Sequence, residues 1–247
     1  MDRWQGRVAL VTGASSGIGR AVSVGLAEAG MKVAVAARRE DRLLELREEV
    51  GGGELLVHPT DLRDEASIDG LFARIRDQWG GVDVLVNGAG LGHLAPLATG
   101  ETQQWRDMLE VNVLALCICT REAVQDMRVR GDDGHVIHIS SMSGYRVAPG
   151  GGVYAATKHA VRALTEALRG ELRKLRSGIR VTSISPGFVE TEFAARYHRS
   201  EEAARETYGR YPVLQVDDIA RSVAYVLAQP PHVQVHDILL RPTQQDT

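Results

Sequence analysis

Tyr154 and Lys158 have the residue types and the spacing that proton transfer requires. Because they are four positions apart on a predicted helix, their side chains should lie side by side on one face. A free phenol has a pKa of about 10, which makes it a poor acid or base at neutral pH. A lysine ammonium beside it stabilises the phenolate, so we expect the pKa of Tyr154 to fall toward neutrality. Such a pair is also a common surface pattern and needs support from other positions.

Two serines, Ser140 and Ser141, add hydroxyl groups at the end of a predicted strand. A hydroxyl at this place is suited to hold a substrate oxygen by a hydrogen bond. The predicted helix that carries Tyr154 follows after a short loop. Together these side chains suit acid–base chemistry at a polarised oxygen.

A glycine-rich stretch lies directly between the first predicted strand and the first predicted helix. Its glycines permit a tight turn and let the backbone approach a pyrophosphate, which then rests on the helix N-terminus. A plain glycine turn is the alternative, but the strand–turn–helix context favours dinucleotide binding. The expected contacts are Gly13, Ser15, Ser16, Gly17, Ile18 and Gly19.

Two arginines follow the second predicted strand, where NAD-binding proteins usually place an acidic residue. A guanidinium pairs with a 2′-phosphate, which a carboxylate would repel. Arg38 is the first choice for this role and Arg39 the second, so we expect NADP(H) as the cofactor. The alternative is that both are solvated charges at a helix start, a position that the helix dipole makes unfavourable for arginine.

The ends of the third and fourth predicted strands carry further candidate contacts. Asp61 is expected to contact the adenine amino group and Leu62 to pack against its ring. An ordinary turn before a helix would look much the same. Asn87, Ala89 and Gly90 belong to a second glycine turn, which should bring backbone close to the adenine ribose.

Short apolar runs alternate with longer amphipathic stretches along the chain. The runs predict strands buried on both faces, at residues 7–11, 32–37, 54–58, 82–86, 135–140, 179–184 and 237–240. The stretches between them predict helices, at residues 18–29, 39–50, 64–79, 102–130, 152–176 and 217–228. This alternation implies parallel pairing through right-handed crossovers. We therefore predict an α/β, Rossmann-type, doubly wound fold, with a seven-stranded parallel sheet and helices on both faces.

Residues 188–213 interrupt this alternation. They are rich in charged and aromatic residues and carry no strand signal, which predicts an irregular segment. An insertion after the carboxyl end of a strand is where a substrate lid lies in such folds. No linker of Pro and Ser divides the chain, so we expect residues 1–247 to form a single dinucleotide-binding catalytic domain with this lid.

The composition narrows the class of protein. Hydrophobic residues make up 44% and charged residues 25%, as in soluble globular proteins. A net charge of −3, spread along the chain, argues against a nucleic-acid partner. No apolar run approaches the roughly 20 residues of a membrane span, and the N-terminus does not resemble a signal peptide.

Cys117 and Cys119 point to different helix faces and the histidines are scattered, so we expect no disulfide, no metal site and a cytoplasmic location.

The order of these features along the chain resembles the short-chain dehydrogenase/reductases. That order is the glycine fingerprint, an Asn-x-Ala-Gly turn, Asn112, Ser141, Tyr154-x-x-x-Lys158 and then Pro186-Gly187, and it covers essentially the whole chain. Arg38 resembles the NADP-preferring branch. The family usually has a second Asn where this chain has Gly88, and we expect the missing side chain to loosen that turn.

The resemblance implies a role for each matched residue. Tyr154 would be the general acid in reduction, with Ser141 orienting the carbonyl; Ser141 is chosen because it lies thirteen residues before the tyrosine. Lys158 would tune Tyr154 and hold the nicotinamide ribose, and Asn112 would complete a tetrad through a proton-relaying water. Contacts to the nicotinamide carboxamide and pyrophosphate would come from Pro186, Gly187, Val189 and Thr191.

The resemblance leaves the substrate open. A mostly apolar pocket is expected from residues 91–94, 142–147 and the lid, and several segments look like the animal enzymes that act on ketosteroids, hydroxysteroids and other bulky carbonyls. Related bacterial members oxidise serine and small 3-hydroxy acids instead. A third possibility is a regulator that senses NADP(H) without turnover, although such proteins typically lose the Tyr or the Lys. Family members usually form dimers or tetramers, so a homodimer or homotetramer is expected.

Overall fold

Seven parallel strands form one sheet in the computed structural model, which describes residues 1–246. The strand order across the sheet is β3-β2-β1-β4-β5-β6-β7, and every neighbouring pair is parallel. The strands are β1 (Val8–Thr12), β2 (Lys32–Ala37), β3 (Leu55–Pro59), β4 (Val84–Asn87), β5 (His135–Ile139), β6 (Arg180–Pro186) and β7 (Asp237–Leu240). This confirms the predicted α/β, doubly wound architecture.

The α-helices connect these strands and cover both faces of the sheet. They are α1 (Gly17–Glu28), α2 (Glu40–Val50), α3 (Glu65–Trp79), α4 (Thr102–Leu109), α5 (Ala115–Val129), α6 (Gly152–Lys174), α7 (Phe193–His198), α8 (Glu201–Gly209) and α9 (Val216–Ala228). Short 3-10 turns occur at Asp2–Trp4 and Met142–Gly144. Within residues 1–246, no helix combines the length and the apolar character that crossing a membrane requires.

The central strands are buried on both sides, which explains their continuous apolar runs. Every residue of β1 is buried, and its alternate side chains enter two separate hydrophobic clusters. Leu26 of α1 and Val223 of α9 belong to one cluster, whereas Phe72 of α3 and Met127 of α5 belong to the other. Burying both faces of a parallel sheet in this way is the expected packing for crossover helices.

The order of the strands creates a crevice at the carboxyl ends of β1 and β4. The chain runs from β1 outward to β3 and then returns to place β4 on the other side of β1. The loops that follow β1 and β4 therefore diverge in opposite directions, and ligands of open α/β sheets bind at such a point. Both glycine turns identified in the sequence lie here.

Two regions differ from the sequence expectation. The predicted helix over 102–130 is interrupted by a π-helical turn, Glu110–Leu114, which separates α4 from α5. The segment 188–213, predicted to be irregular, contains α7 and α8, and an isolated parallel bridge between Val189 and Leu214 closes its base. The lid helices are six and nine residues long, and helices this short show too few turns for their periodicity to stand out.

Candidate active site

Two glycine turns pack backbone against backbone at the crevice. A Cβ on Gly13 would lie 2.7 Å from the Cα of Ala89, and one on Gly19 would lie 2.5 Å from the carbonyl oxygen of Gly13. Both separations are too short for any side chain. Gly13 also adopts a φ of 74°, in the left-handed region that favours glycine. The turn after β1 and the turn after β4 are thus held together by glycine.

The N-terminus of α1 is open toward this crevice. Ser16 precedes the helix but makes no side-chain capping bond, because its hydroxyl accepts a hydrogen bond from Arg39 at 2.8 Å. Thr191, from the far end of the sequence, reaches the same turn, with its Cγ2 3.1 Å from the position of a Cβ on Gly17. Uncapped helix N–H groups beside a hydroxyl bind phosphate well. The cradle therefore fits the pyrophosphate of a dinucleotide.

The two candidate arginines occupy different surroundings at the end of β2. Arg38 is exposed, whereas Arg39 turns back over the glycine loop and donates to the Ser15 hydroxyl at 3.1 Å and to the Glu192 carboxylate at 3.1 Å. Glu40 and Asp41, which follow, are exposed on the first turn of α2. The Arg39 guanidinium thus borders the loop and Arg38 lies next to it in sequence, so the end of β2 carries the positive charge that a 2′-phosphate requires.

The side chains of three predicted cofactor residues contact other residues of the protein. The Asp61 carboxylate pairs with Arg63 at 2.7 Å, and this hydrogen bond holds its pKa below the ordinary value. Leu62 packs against the core, and the Asn87 amide donates to the Thr120 hydroxyl at 3.0 Å. A contact from Asn87 to a ligand would therefore come from its backbone, which one sequence cannot distinguish from a side-chain contact.

The turn after β4 is tight rather than loose. A Cβ on Gly88 would lie 2.8 Å from the carbonyl oxygen of Thr12, and the Ala89 N–H donates to the Thr12 hydroxyl at 3.2 Å. The expectation that Gly88 loosens this turn is wrong, because the absent side chain lets the turn approach β1 closely. Gly90 follows at the mouth of the crevice.

Tyr154, Lys158 and Ser141 converge at the other side of the crevice. The Lys158 Nζ lies 5.9 Å from the centre of the Tyr154 ring and donates to the Ile139 carbonyl at 3.0 Å. Ser141 follows β5 and is close enough to Tyr154 for a hydrogen bond that lowers its pKa. Ser140, by contrast, is buried and directs its hydroxyl toward the backbone of α6. The two serines therefore differ in what they can reach.

The pKa of Tyr154 does not follow the sequence expectation. Tyr154 keeps partial solvent exposure, yet burial by the protein around it raises its pKa to about 12, against the lowering effect of Ser141. Burial also lowers the pKa of Lys158 to about 8. The expected lowering of the Tyr154 pKa is wrong because desolvation of the phenolate outweighs the stabilising hydrogen bond. The phenol is therefore neutral, the form that donates a proton.

Asn112 lies in the π-helical turn and ties three parts of the site together. Its Oδ1 accepts from the Leu91 N–H at 2.9 Å, and its Nδ2 donates to the Leu91 carbonyl at 2.8 Å and to Thr157 at 3.0 Å. A Cβ on Gly90 would lie 3.6 Å from this Oδ1 and 3.5 Å from the Lys158 Nζ. The two polar groups thus border the same small space. π-turns are frequent at functional sites, and the helical pattern gave no sign of this one.

The first helix of the lid covers Tyr154 with aromatic rings. The ring centres of Phe193 and Tyr197 lie 5.4 Å and 6.1 Å from that of Tyr154. The Tyr197 carbonyl accepts a hydrogen bond from the Leu94 N–H at 3.1 Å, which ties the lid to the loop after β4. Pocket residues predicted from separate parts of the sequence are thus brought together around the phenol.

Two further residues were not found from the sequence. Glu192 pairs with Arg39 and Arg42, at 3.1 Å each, where the lid meets α2. Gln245, near the C-terminus, accepts a hydrogen bond from the Phe188 N–H at 3.1 Å and packs on Gly187. Neither residue belongs to a local motif, so only the folded chain shows what it contacts. Pro186 ends β6 beside them, and Val189 is buried at the base of the lid.

The titratable groups elsewhere offer little for acid–base or metal chemistry. Burial lowers the pKa of His138 to about 3, so its imidazole is neutral. Burial raises the pKa of Cys119 to about 12, and both Cys117 and Cys119 are free thiols. In the part of the chain that the structure describes, no group of three or more His, Cys, Asp or Glu is arranged to hold a metal ion.

Comparison with known proteins adds independent information. The sequence profile of a family described as short chain dehydrogenase matches residues 7–202. A curated relative from Bos taurus, dehydrogenase/reductase SDR family member 11, is 50% identical, with 100% of both chains covered. Farnesol dehydrogenase from Aedes aegypti is 44% identical, with 98% of each chain covered.

The fold has a similar counterpart among solved structures. A structure described as the closed form of serine dehydrogenase complexed with NADP+ is similar with a TM-score of 0.92 and 33% identity. The similarity covers 97% of this chain and 96% of that one. The likeness therefore extends over the sheet, its helices and the lid.

Proposed function

The chain belongs to the short-chain dehydrogenase family and is an oxidoreductase that uses NADP(H), and we propose that it interconverts a carbonyl group and a secondary alcohol. The observation that carries this proposal is the meeting of Tyr154, Ser141 and Lys158 at one side of a crevice whose other side is an anion cradle. An acid, a hydroxyl donor and a buried cation around one point suit a carbonyl oxygen that gains negative charge.

In the direction of reduction, each residue of the site has a separate role. The bound nicotinamide supplies the hydride that reaches the carbonyl carbon. Tyr154 donates its proton to the carbonyl oxygen. The phenol still carries that proton at neutral pH because its pKa is about 12. Ser141 donates a hydrogen bond to the same oxygen and fixes its position. Oxidation of an alcohol reverses these steps.

Lys158 and Asn112 support the proton transfer. The Lys158 ammonium stabilises the phenolate that Tyr154 becomes, although burial lowers the lysine pKa to about 8. Asn112 fixes Leu91 and Thr157 around the space beside Lys158. We propose that the Lys158 ammonium then returns a proton to the Tyr154 phenolate, and that a water in this space passes a replacement proton to the neutral lysine. This would restore both groups after each turnover.

We propose NADP(H) contacts at the cradle and along the crevice. Arg38 and Arg39 would hold the 2′-phosphate, and Thr191 with the N-terminus of α1 would hold the pyrophosphate. The turn from Asn87 to Gly90 would approach the adenine ribose with its backbone. Asp61 and Leu62 would border the adenine.

The substrate that fits the lid best is a bulky apolar carbonyl compound, such as a ketosteroid or a diketone. Phe193 and Tyr197 stand over Tyr154, and apolar side chains on the surrounding loops remain exposed, among them Leu94, Leu97 and Val147. Apolar surface left exposed around a site is typical of a surface that binds apolar ligands. Farnesol, named for one relative, is also an apolar alcohol.

A substrate panel tests this proposal. The purified protein is mixed with NADPH or NADH and with aromatic aldehydes, vicinal diketones, ketosteroids and small 3-oxo acids, and loss of reduced cofactor is followed by absorbance. We expect turnover that prefers NADPH and is fastest with bulky apolar carbonyls. Preference for serine or a small 3-hydroxy acid in the oxidative direction would assign the alternative substrate class, which the serine dehydrogenase neighbour represents. Tight NADPH binding without turnover in either direction would favour a cofactor-sensing regulator.

We also propose that the protein is a cytoplasmic homodimer or homotetramer assembled through α4, α5 and α6. Leu109 and Leu114, where α4 meets α5, are exposed, at 50% and 56%. Exposed leucines on long helices suit contact with a second copy. Light scattering on the purified protein tests this, and a monomer at micromolar concentration would contradict it.

A further inference from the structure

Glu192 is surrounded by arginines at the place where the lid meets the cofactor cradle. Its carboxylate pairs with Arg39 and with Arg42, each at 3.1 Å, and also with Arg196 one helical turn further along α7. Partial burial raises the pKa of Glu192, but the three guanidinium groups outweigh it, so the pKa lies below its ordinary value. One side chain of the lid therefore places a negative charge among the cations of the cradle.

Arg39 is engaged on every side in this arrangement. Its Nη1 donates to Glu192, while its Nη2 donates to the hydroxyls of Ser15 at 3.1 Å and Ser16 at 2.8 Å. Arg38, its neighbour in sequence, is exposed. A 2′-phosphate that approaches these arginines meets one exposed guanidinium and one that is already paired with a carboxylate.

Arg39 can exchange its ion pair with Glu192 for one with a phosphate, and neither charge becomes buried without a partner. The Glu192 side chain is 38% exposed and that of Arg39 is 30% exposed, so the carboxylate stays hydrated if it moves. Arg42 and Arg196 remain as partners for Glu192 after Arg39 turns to a phosphate. Ion pairs this exposed contribute little stability, and a phosphate dianion is a stronger partner for a guanidinium than a carboxylate is.

We infer that Glu192 competes with the 2′-phosphate of NADP(H) for Arg39 and so sets how strongly the protein selects NADP(H) over NAD(H). This rests on the proposed assignment of Arg38 and Arg39 to the 2′-phosphate. The negative charge of Glu192 acts mainly on the 2′-phosphate, because Arg39 is the guanidinium for which the two would compete. Glu192 of the lid thereby makes the preference for NADP(H) over NAD(H) smaller than Arg38 and Arg39 alone would make it.

The test compares two nucleotides that differ only in the 2′-phosphate. Isothermal titration calorimetry measures the binding of adenosine 2′,5′-bisphosphate and of adenosine 5′-monophosphate to the full-length protein and to Glu192→Gln. We expect Glu192→Gln to bind the bisphosphate about fivefold more tightly, as loss of a partly exposed charge predicts, and the monophosphate within about twofold of the unmodified protein. The gain should shrink in high salt, which screens exposed charges.

Glu190→Gln is the matched control. Glu190 lies two residues away on the same segment and contacts the Gln215 amide at 3.0 Å rather than an arginine. Glutamine preserves an acceptor for that contact and removes the same charge. We expect both nucleotides to bind this variant as they bind the unmodified protein. Circular dichroism of each variant confirms that the fold is retained.

Four results would overturn the inference. Weaker bisphosphate binding by Glu192→Gln would mean that Glu192 orients Arg39 for the phosphate, and unchanged binding would mean that it has no effect. An equal gain in Glu190→Gln would reduce the effect to overall charge. If the unmodified protein failed to distinguish the two nucleotides, the assignment of the arginines to the 2′-phosphate would fail together with the inference.

Discussion

The two ends of the crevice are built in different ways. At the cofactor end, backbone packs on backbone, with the Cβ positions of Gly13 and Gly19 only 2.7 Å and 2.5 Å from neighbouring backbone atoms. At the substrate end, side chain packs on side chain, with Phe193 and Tyr197 placed over Tyr154. The first end tolerates a single residue type at its tightest points. The second admits any set of side chains that fills the space.

This difference determines how much of each end of the crevice can be predicted from the sequence alone. A contact that only glycine permits leaves a fixed pattern in the sequence, so the cofactor class is visible in a single chain. A wall of aromatic rings constrains volume more than identity, because cores accept many combinations of apolar side chains. The cofactor is therefore recognised from sequence, whereas the substrate must be found by experiment.

The largest effect on cofactor binding is expected from Gly19→Ala at the cofactor end. Its Cβ would lie 2.5 Å from the Gly13 carbonyl oxygen, so the turn must shift, and we expect NADPH affinity to fall about 100-fold, as overpacking of this size predicts. Calorimetry with NADPH measures the change. Gly25→Ala, on the same helix with nothing within 4 Å of its Cβ, is the control and should keep its affinity with slightly higher stability. Equal losses in both variants would contradict the backbone packing.

Phe193→Ala probes the substrate end. Removing the ring 5.4 Å from Tyr154 should lower kcat/KM for a bulky apolar carbonyl about 30-fold, since an aromatic contact with the substrate is lost. The Kd for NADPH should stay within about twofold, because this ring belongs to the other end. Tyr225→Ala, an exposed aromatic on α9, serves as the control. A matching loss of NADPH affinity in Phe193→Ala would show that the two ends are not separable.

The pH dependence of reduction tests the titrating groups between the two ends. The pKa of Lys158, lowered by burial to about 8, means that its ammonium is present below this pH and lost above it. Tyr154 keeps its proton up to a pKa of about 12. We therefore expect kcat/KM for reduction to fall about tenfold between pH 7 and 9. A rate that stays constant to pH 10 would contradict the role of the lysine charge.

The smallest effect is expected at Gly88, where the chain departs from the pattern that the sequence resembles. An asparagine Cβ would lie 2.8 Å from the Thr12 carbonyl oxygen, so Gly88→Asn should destabilise the protein by about 1 kcal/mol. Thermal unfolding measures this as a fall in Tm of a few degrees. A rise in Tm would show that the turn adapts to the side chain that it lacks.

The sequence predicted most of the fold because buried parallel strands leave continuous apolar runs. The bounds of β2 and β7 agree with the prediction, and the ends of the other strands differ from it by at most two residues. The lid helices and the π turn at 110–114 were missed, because they depend on tertiary contacts rather than on periodicity.

The candidate site was predicted in part. The glycine loop, Arg39 and Thr191 do meet at one place, and Tyr154 lies beside Ser141 and Lys158. The Asp61 side chain pairs with the adjacent Arg63, and the Asn87 side chain bonds Thr120, a distant partner that no local pattern reveals. The pKa of Tyr154 is raised, whereas the sequence predicted that it would be lowered, because the extent of its burial depends on the packing of the lid.

The most direct measurement is the comparison of Tyr154→Phe with the unmodified protein in both NADPH binding and turnover. Phenylalanine keeps the ring that packs against Phe193 and removes only the hydroxyl that we propose as the proton donor. We expect kcat to fall about 1,000-fold, the usual contribution of a positioned general acid, with the Kd for NADPH within about twofold. Turnover within about tenfold of the unmodified protein would contradict Tyr154 as the proton donor.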